Sequence, residues 1–361
     1  MSLDHYVTLG QSGLRVSPFC LGAMTFGEDW GWGSPVDVSE TILTRYIEQG
    51  GNFVDTANAY TRGHSEKIIG DYHQARHVRR DQLVIATKFF ANLFPNDPNG
   101  GGASRKSITA ACEDSLRRLQ TDYIDLYWMH LWDRFTPIEE TMRALDDLVC
   151  AGKVRYLGFS DTPAWKTSQA QVLSSFRGWS PLIALQIEYS LIERTVEAEL
   201  MPMAQELGLG VTPWSPLRGG VLTGKYTREN AKNSKPERGS RVTSFLTERA
   251  FLIVDELLRI SSELETTPAA VALSWVQAEP SVTSTIIGAR TLDQLEQNLV
   301  GLSLKLDAEY IQALDQVSQP TLGFPINFLQ AAPMIMHSGA TVNQEPSEVW
   351  PMSPRTDDER Y

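Results

Sequence analysis

Four polar side chains of complementary acid–base character close short apolar runs, or lie on the loop just behind one. Asp55 follows Asn52-Phe53-Val54, and Tyr60 lies on the loop behind it. Lys88 follows Leu83-Val84-Ile85-Ala86-Thr87, and His130 follows Ile124-Asp125-Leu126-Tyr127-Trp128-Met129. A carboxylate, a phenol, an amine and an imidazole gathered in one pocket have the chemistry to pass a proton to a substrate oxygen. Each alone has a plain reading as a turn cap, a packed ring, a solvated strand end or a core imidazole. Together they need a fold that gathers strand ends at one place.

A closed barrel of parallel strands does this, because the carboxyl ends of all its strands open onto one face where the loops build the site. The chain reads that way. Tyr6–Leu9, the turn Gly10-Gln-Ser-Gly13 and Leu14–Val16 read as a β-hairpin ahead of a first strand near Ser17–Leu21. Further strands are expected at Asn52–Asp55, Leu83–Thr87, Ile124–Met129, Val154–Phe159, Leu182–Ile187, Gly210–Trp214 and Ser284–Ile287. Helix-period segments separate them. One ends at Gly50-Gly51; others start at Ser104, at Pro137 and at the cap-and-proline pair Thr162-Pro163, with more near Val196–Leu207 and Pro268–Gln277. Alternating β and α segments imply right-handed crossovers and a parallel sheet, so the expected fold is an α/β (β/α)8 TIM barrel with long loops at its C-terminal face. It forms one domain over 1–361, with a core at about 6–335 and a polar surface tail at 338–361. Gly224–Ser244 is a long polar loop carrying Lys225, Lys232, Lys235, Arg238 and Arg241.

Composition bounds the function. The 361 residues are 42% hydrophobic and 21% charged, enough for a large core. A net charge of −12 argues against nucleic acid or an anionic membrane as main partner. Three widely spaced cysteines, Cys20, Cys112 and Cys150, offer no zinc spacing and point to a reduced, cytoplasmic setting. No run of ~18 apolar residues suggests a membrane span. Oligomeric state is left open.

Several motifs fall in order at the strand ends. They are Asp55-Thr-Ala-Asn-Ala-Tyr60, Gly63-His-Ser-Glu-Lys67, Thr87-Lys88, Met129-His130, Gly158-Phe-Ser160, Leu185–Ser190, Trp214-Ser-Pro-Leu217 and Ile287–Thr291. In this set, over roughly residues 6 to 345, the chain resembles the aldo-keto reductase family. The resemblance implies a barrel enzyme that reduces a small-molecule carbonyl with NADPH, without a Rossmann domain. The side chains support such chemistry. A carbonyl that receives hydride develops charge on oxygen and needs a proton donor. An ordinary phenol, with a pKa of about 10, becomes a better one when an ammonium beside it favours the phenolate. Tyr60 is then the general acid, Lys88 its tuner, Asp55 the anchor of Lys88, and His130 the group that orients the carbonyl.

The resemblance also places a cofactor. Gly22 and Met24 follow the first strand, Ser160 and Gln186 would hold the nicotinamide carboxamide, and Trp214 would stack on the ring. Asp161 stands where the family usually has Asn; it either accepts from the carboxamide or caps the helix at Thr162-Pro163. Ser215, Pro216, Leu217, Gly219 and Lys225 match the segment that wraps the pyrophosphate. Gly288, Arg290, Gln294, Gln297 and Asn298 match the adenosine side, with Arg290 on a 2′-phosphate. Gln297 replaces a frequent Glu, so NADH stays open as the alternative cofactor. Arg241 is expected to close over the cofactor. Trp30, Trp32, Phe90 and Trp132 are expected to line the substrate mouth, favouring planar or apolar aldehydes and ketones, quinones, or open-chain sugars. Two further readings remain: a redox-sensing accessory subunit of channel type that binds NADPH with little turnover, and a barrel in which Lys88 forms a Schiff base.

Overall fold

The computed structural model describes residues 1–76, 78–231 and 240–360. Lys232, Lys235 and Arg238 lie outside these residues, and so does the side chain of Arg241. A hairpin of β1 (Val7–Thr8) and β2 (Arg15–Val16) precedes the barrel strands. These are β3 (Phe19–Gly22), β4 (Phe53–Asp55), β5 (Val84–Phe89), β6 (Ile124–Met129), β7 (Val154–Ser160), β8 (Leu182–Glu188), β9 (Gly210–Trp214) and β10 (Thr285–Gly288). The sheet runs β10-β3-β4-β5-β6-β7-β8-β9, every neighbouring pair parallel. A bridge between Val211 and Val282, with the Thr283 amide donating to the Val211 carbonyl at 2.8 Å, draws β9 towards β10 and nearly closes the barrel.

The strands are buried on both faces, which is why they read as unbroken apolar runs rather than alternating ones. One cluster fills the barrel interior, with Phe53, Ala86, Leu126, Trp128 and Ile183. Leu9 and Val16 of the hairpin belong to it and stopper the amino-terminal end. Trp128 pairs in register with Lys88 on one side and Gly158 on the other. A Cβ at Gly158 would sit 2.3 Å from the Trp128 ring, so only glycine leaves room for the indole. A second cluster lies between the sheet and the surrounding helices. No helix among the described residues is long and apolar enough to cross a membrane.

Helix starts follow their caps where a side chain is free to turn back. Ser104 accepts from the Ser107 amide at the start of α3 (Arg105–Leu119), and Thr291 from Gln294 at Leu292–Ser303. The Thr162-Pro163 start is different. The helix there begins at Ala164, and the Thr162 hydroxyl donates to the Ser160 carbonyl at 2.9 Å instead of capping. A 16-residue helix, Glu248–Glu263, was not foreseen; Thr247 caps it, and Ile253, Leu257 and Ile260 turn its apolar stripe inward. The chain divides into two compact units, Met1–Gln319 and Pro320–Tyr361. The second starts ahead of the expected tail boundary near 338 and includes two short helices, Ile326–Leu329 and Ala332–His337, before a segment that bonds to itself. Ser338 Oγ meets Ser353 Oγ at 2.5 Å, and the Gly339 amide donates to the Glu348 carbonyl at 3.0 Å.

Candidate active site

Asp55, Ser160, Trp214 and Gly288 are the last residues of their strands, Lys88 is one short of the end of β5, and His130 directly follows β6. The barrel therefore brings them to one face. Lys88 is fully buried there. Its ammonium has three protons to place, and three acceptors meet them. Asp55 Oδ2 takes one in a close ion pair. The Thr56 carbonyl takes another at 2.8 Å, and the Tyr60 hydroxyl the third at 3.2 Å. Asp55 Oδ1 accepts from Gln186 Nε2 at 3.1 Å. A buried ion pair holds only when its remaining lone pairs and protons are satisfied in this way. Because Lys88 donates to the phenol oxygen, the proton of Tyr60 is left for an acceptor on the other side. The His130 ring stands edge-on to that of Tyr60, with centroids 5.9 Å apart.

Burial disfavours charge on Lys88, but Asp55 and Tyr60 outweigh it and raise the ammonium above its ordinary value. Lys88 is a cation, not a free amine. Burial also pushes the Tyr60 phenol up; Lys88 pulls it back, Asp55 adds to the rise, and the net direction is upward. Sequence reasoning counted only the ammonium and expected the opposite sign. The raised value keeps the phenol protonated through neutral pH, the state a donor needs, while Lys88 stays in contact to stabilise a phenolate. His130 is lowered to about 3, first by burial and then by Lys88. Its imidazole is neutral. The expected pH profile follows: between about pH 5 and 8, turnover should show no step near 6.5, the ordinary imidazole value. An acid limb there, abolished in His130→Gln, would show that His130 titrates and would refute its neutral assignment.

A cleft of about 600 Å³ opens from Tyr60 and His130. Gly22, Met24, Ser160, Asp161, Gln186 and Trp214 line it. So do Ser215, Pro216, Leu217, Gly219 and Lys225, on a loop where Gly219 and Gly220 take φ of 64° and 92°. Gly288, Arg290, Gln294, Gln297 and Asn298 also line it. Gln294 Oε1 accepts from the Arg290 amide at 2.9 Å, and Gln297 donates to Asp293 at 2.7 Å. Ser160 Oγ is buried and finds no hydrogen-bond partner among the described residues. Such a group costs free energy unless something else satisfies it. A polar group arriving in the cleft would do so, and the carboxamide of a nicotinamide fits that need.

Asp161 does not cap the helix after Thr162-Pro163, which begins at Ala164 with Pro163 as its N-cap and no side-chain cap bond. It takes a φ of 43° and accepts from Trp214 Nε1 at 3.0 Å, fixing the plane of that indole. The four aromatics assigned to the substrate mouth fall outside the lining of this cleft, the space assigned to the cofactor. Trp30 stands edge-to-face on Tyr60, centroids 6.3 Å apart, and Trp32 packs on Trp30. Trp132 pairs with Trp165 at 5.6 Å, and Phe90 packs against the outer core. Of the four, Trp30 is the one whose ring pairs with Tyr60. Sequence reasoning did not single out Thr223, Tyr226 and Pro268, which also line the cleft, whereas Arg218, between Leu217 and Gly219, is not among its lining residues. The Arg218 guanidinium pairs with Glu188 and lies over Phe245, 4.1 Å from the ring centre.

Residues 18–319 match the sequence model of the aldo/keto reductase family. An uncharacterized oxidoreductase of Bacillus subtilis is 39% identical over 322 residues, covering 87% of this chain and 95% of its own. Norsolorinic acid reductase of Aspergillus flavus is 33% identical over 362 residues, covering 98% of this chain and 90% of its own. An aryl-alcohol dehydrogenase of Pestalotiopsis microspora is 34% identical over 340 residues, covering 92% and 86%.

Proposed function

The chain belongs to the aldo/keto reductase family, and from that premise we propose that it reduces an aryl aldehyde or ketone to the alcohol with NADPH. The observation that carries the reading is the buried Asp55–Lys88–Tyr60 array, in which Lys88 donates to the phenol oxygen and the ring of His130 stands edge-on 5.9 Å from that of Tyr60. A reduced nicotinamide held by Ser160 and Gln186 against Trp214 would supply hydride when bound. The chain's own residues do the rest. His130 donates an N–H to the carbonyl oxygen and orients it. Tyr60 gives that oxygen its proton as the C–H bond forms. Lys88 stabilises the phenolate left behind, and Asp55 keeps Lys88 charged and in place. Solvent then returns a proton to Tyr60.

The aromatic wall of Trp30 and Trp32 beside Tyr60 favours a planar substrate, as do two relatives named for acting on aryl alcohols and on norsolorinic acid. The ammonium state and three acceptors of Lys88 disfavour a Schiff base. Nothing favours the accessory-subunit reading; the relatives above carry the names of oxidoreductases. The test is a panel of aryl and aliphatic carbonyls with each cofactor, followed by loss of the reduced-nicotinamide absorbance. Aryl aldehydes should exceed aliphatic ones of similar size by about tenfold, the scale of one well-filled apolar contact. No turnover of any carbonyl would defeat the proposal. In the same assay Arg290→Ala should weaken NADPH by about tenfold or more, the loss of a charge-assisted pair, and leave NADH nearly unchanged. Equal loss of both would remove Arg290 from the 2′-phosphate.

A further inference from the structure

The turn that carries Tyr60 is held in an unusual backbone conformation. Thr61 has φ 46° and ψ 39°, Arg62 has φ 60° and ψ 32°, and Gly63 follows at φ 94°. Three successive left-handed residues are rare, and a β-branched residue there is a genuine outlier that persists only when its surroundings over-determine it. Thr61 is 1% exposed, and its hydroxyl is what ties it down. That hydroxyl donates to the Phe26 carbonyl at 2.8 Å and accepts from the Ser65 amide at 3.0 Å, at the start of the helix His64–Ala75. Ser65 Oγ bonds to the Ala23 carbonyl at 2.7 Å and meets Thr56 Oγ1 at 2.8 Å. Thr56 in turn accepts from Lys88 through its carbonyl. A continuous set of bonds thus links the Tyr60 turn to the lysine its phenol must meet. Phe26 also opens the loop that carries Trp30, and Asp29 on that loop bonds His64 Nδ1 at 2.8 Å. The floor of the turn is crowded as well: a Cβ on Gly63 would lie 2.8 Å from Arg118 Cδ.

We propose that Thr61 is a positioning residue for the reaction: its hydroxyl holds the left-handed turn that sets the Tyr60 phenol on Lys88, and joins that turn to the loop bearing Trp30. The inference rests on the reading of Tyr60 as proton donor. A shift of one ångström in a reacting group suffices to slow chemistry substantially, whereas cofactor binding along the rest of the cleft does not depend on this turn.

The test compares Thr61→Val, which keeps the shape and removes both hydrogen bonds, with Thr61→Ser, which keeps the hydroxyl. Thr61→Gly adds a variant that relaxes the backbone without restoring the hydroxyl, and it decides the matter if Thr61→Val does not fold. Steady-state turnover of an aryl aldehyde is measured beside NADPH affinity by fluorescence titration. Thr61→Val and Thr61→Gly should lose about 10- to 100-fold in kcat with NADPH affinity within about twofold, and Thr61→Ser should recover most of the rate. Unchanged kcat in the variants lacking the hydroxyl would overturn the inference. So would a serine variant as slow as valine, or a parallel loss of NADPH affinity. Tyr60→Phe is run in the same series. If that variant turns over normally, the reading of Tyr60 fails; if it is dead while Thr61→Val is not, only the role of Thr61 fails.

Discussion

Tyr60→Phe should lower carbonyl reduction by about 10²–10⁴-fold, the contribution typical of a positioned general acid, while NADPH affinity changes by no more than a few-fold. The substitution removes one oxygen. That oxygen is the acceptor of the third Lys88 proton and the carrier of the proton bound for substrate. The ring itself remains, still edge-on to His130 and Trp30, so the pocket keeps its shape. A fall in kcat without a matching fall in cofactor affinity therefore separates proton donation from packing. Full activity would mean that another group supplies the proton.

Lys88→Met is the second large effect, and it acts on stability as well as rate. Both partners of the pair are out of water, with side-chain exposures of 0% for Lys88 and 3% for Asp55. Removing one charge from such a pair leaves the other uncompensated, at a cost of about 3–5 kcal/mol. Thermal or urea unfolding should show that loss. Turnover should fall at least as far as in Tyr60→Phe, because the phenolate would form without a counter-charge. The double variant Lys88→Met/Asp55→Leu separates the two effects. With neither charge buried it should regain most of the stability and none of the activity. A single variant as stable as the parent would mean that the pair is far better hydrated than its burial indicates.

What the sequence disclosed has a physical pattern. Asp55, Lys88 and His130 were legible because a parallel barrel strand is a bounded apolar run, and a polar residue at its carboxyl end has one face to occupy. Ser104 was legible as a cap because capping is local. Features set by contacts distant in the chain were not. Asp161 meets Trp214 through tertiary packing, and nothing beside Thr162-Pro163 signals that Asp161 turns left-handed instead of capping. Thr61 carries no sequence mark of its conformation; Arg62-Gly63 suggests a turn, but not one begun by a β-branched residue. The direction of the Tyr60 shift was misjudged for a related reason. A neighbouring lysine is visible in a motif, whereas the burial that outweighs it is a property of the folded pocket. The loop aromatics show the same divide, since Trp30 reaches Tyr60 but Trp132 turns to Trp165.

The most direct test of the central claim follows the hydrogen itself. NADPH carrying deuterium at the transferable position of its nicotinamide is mixed with the protein and an aryl aldehyde in ordinary water, and the alcohol is analysed by mass spectrometry and NMR. The account predicts one deuterium on the carbinol carbon, with the hydroxyl proton drawn from solvent through Tyr60. Unlabelled alcohol, or no alcohol with the cofactor unchanged, would contradict it.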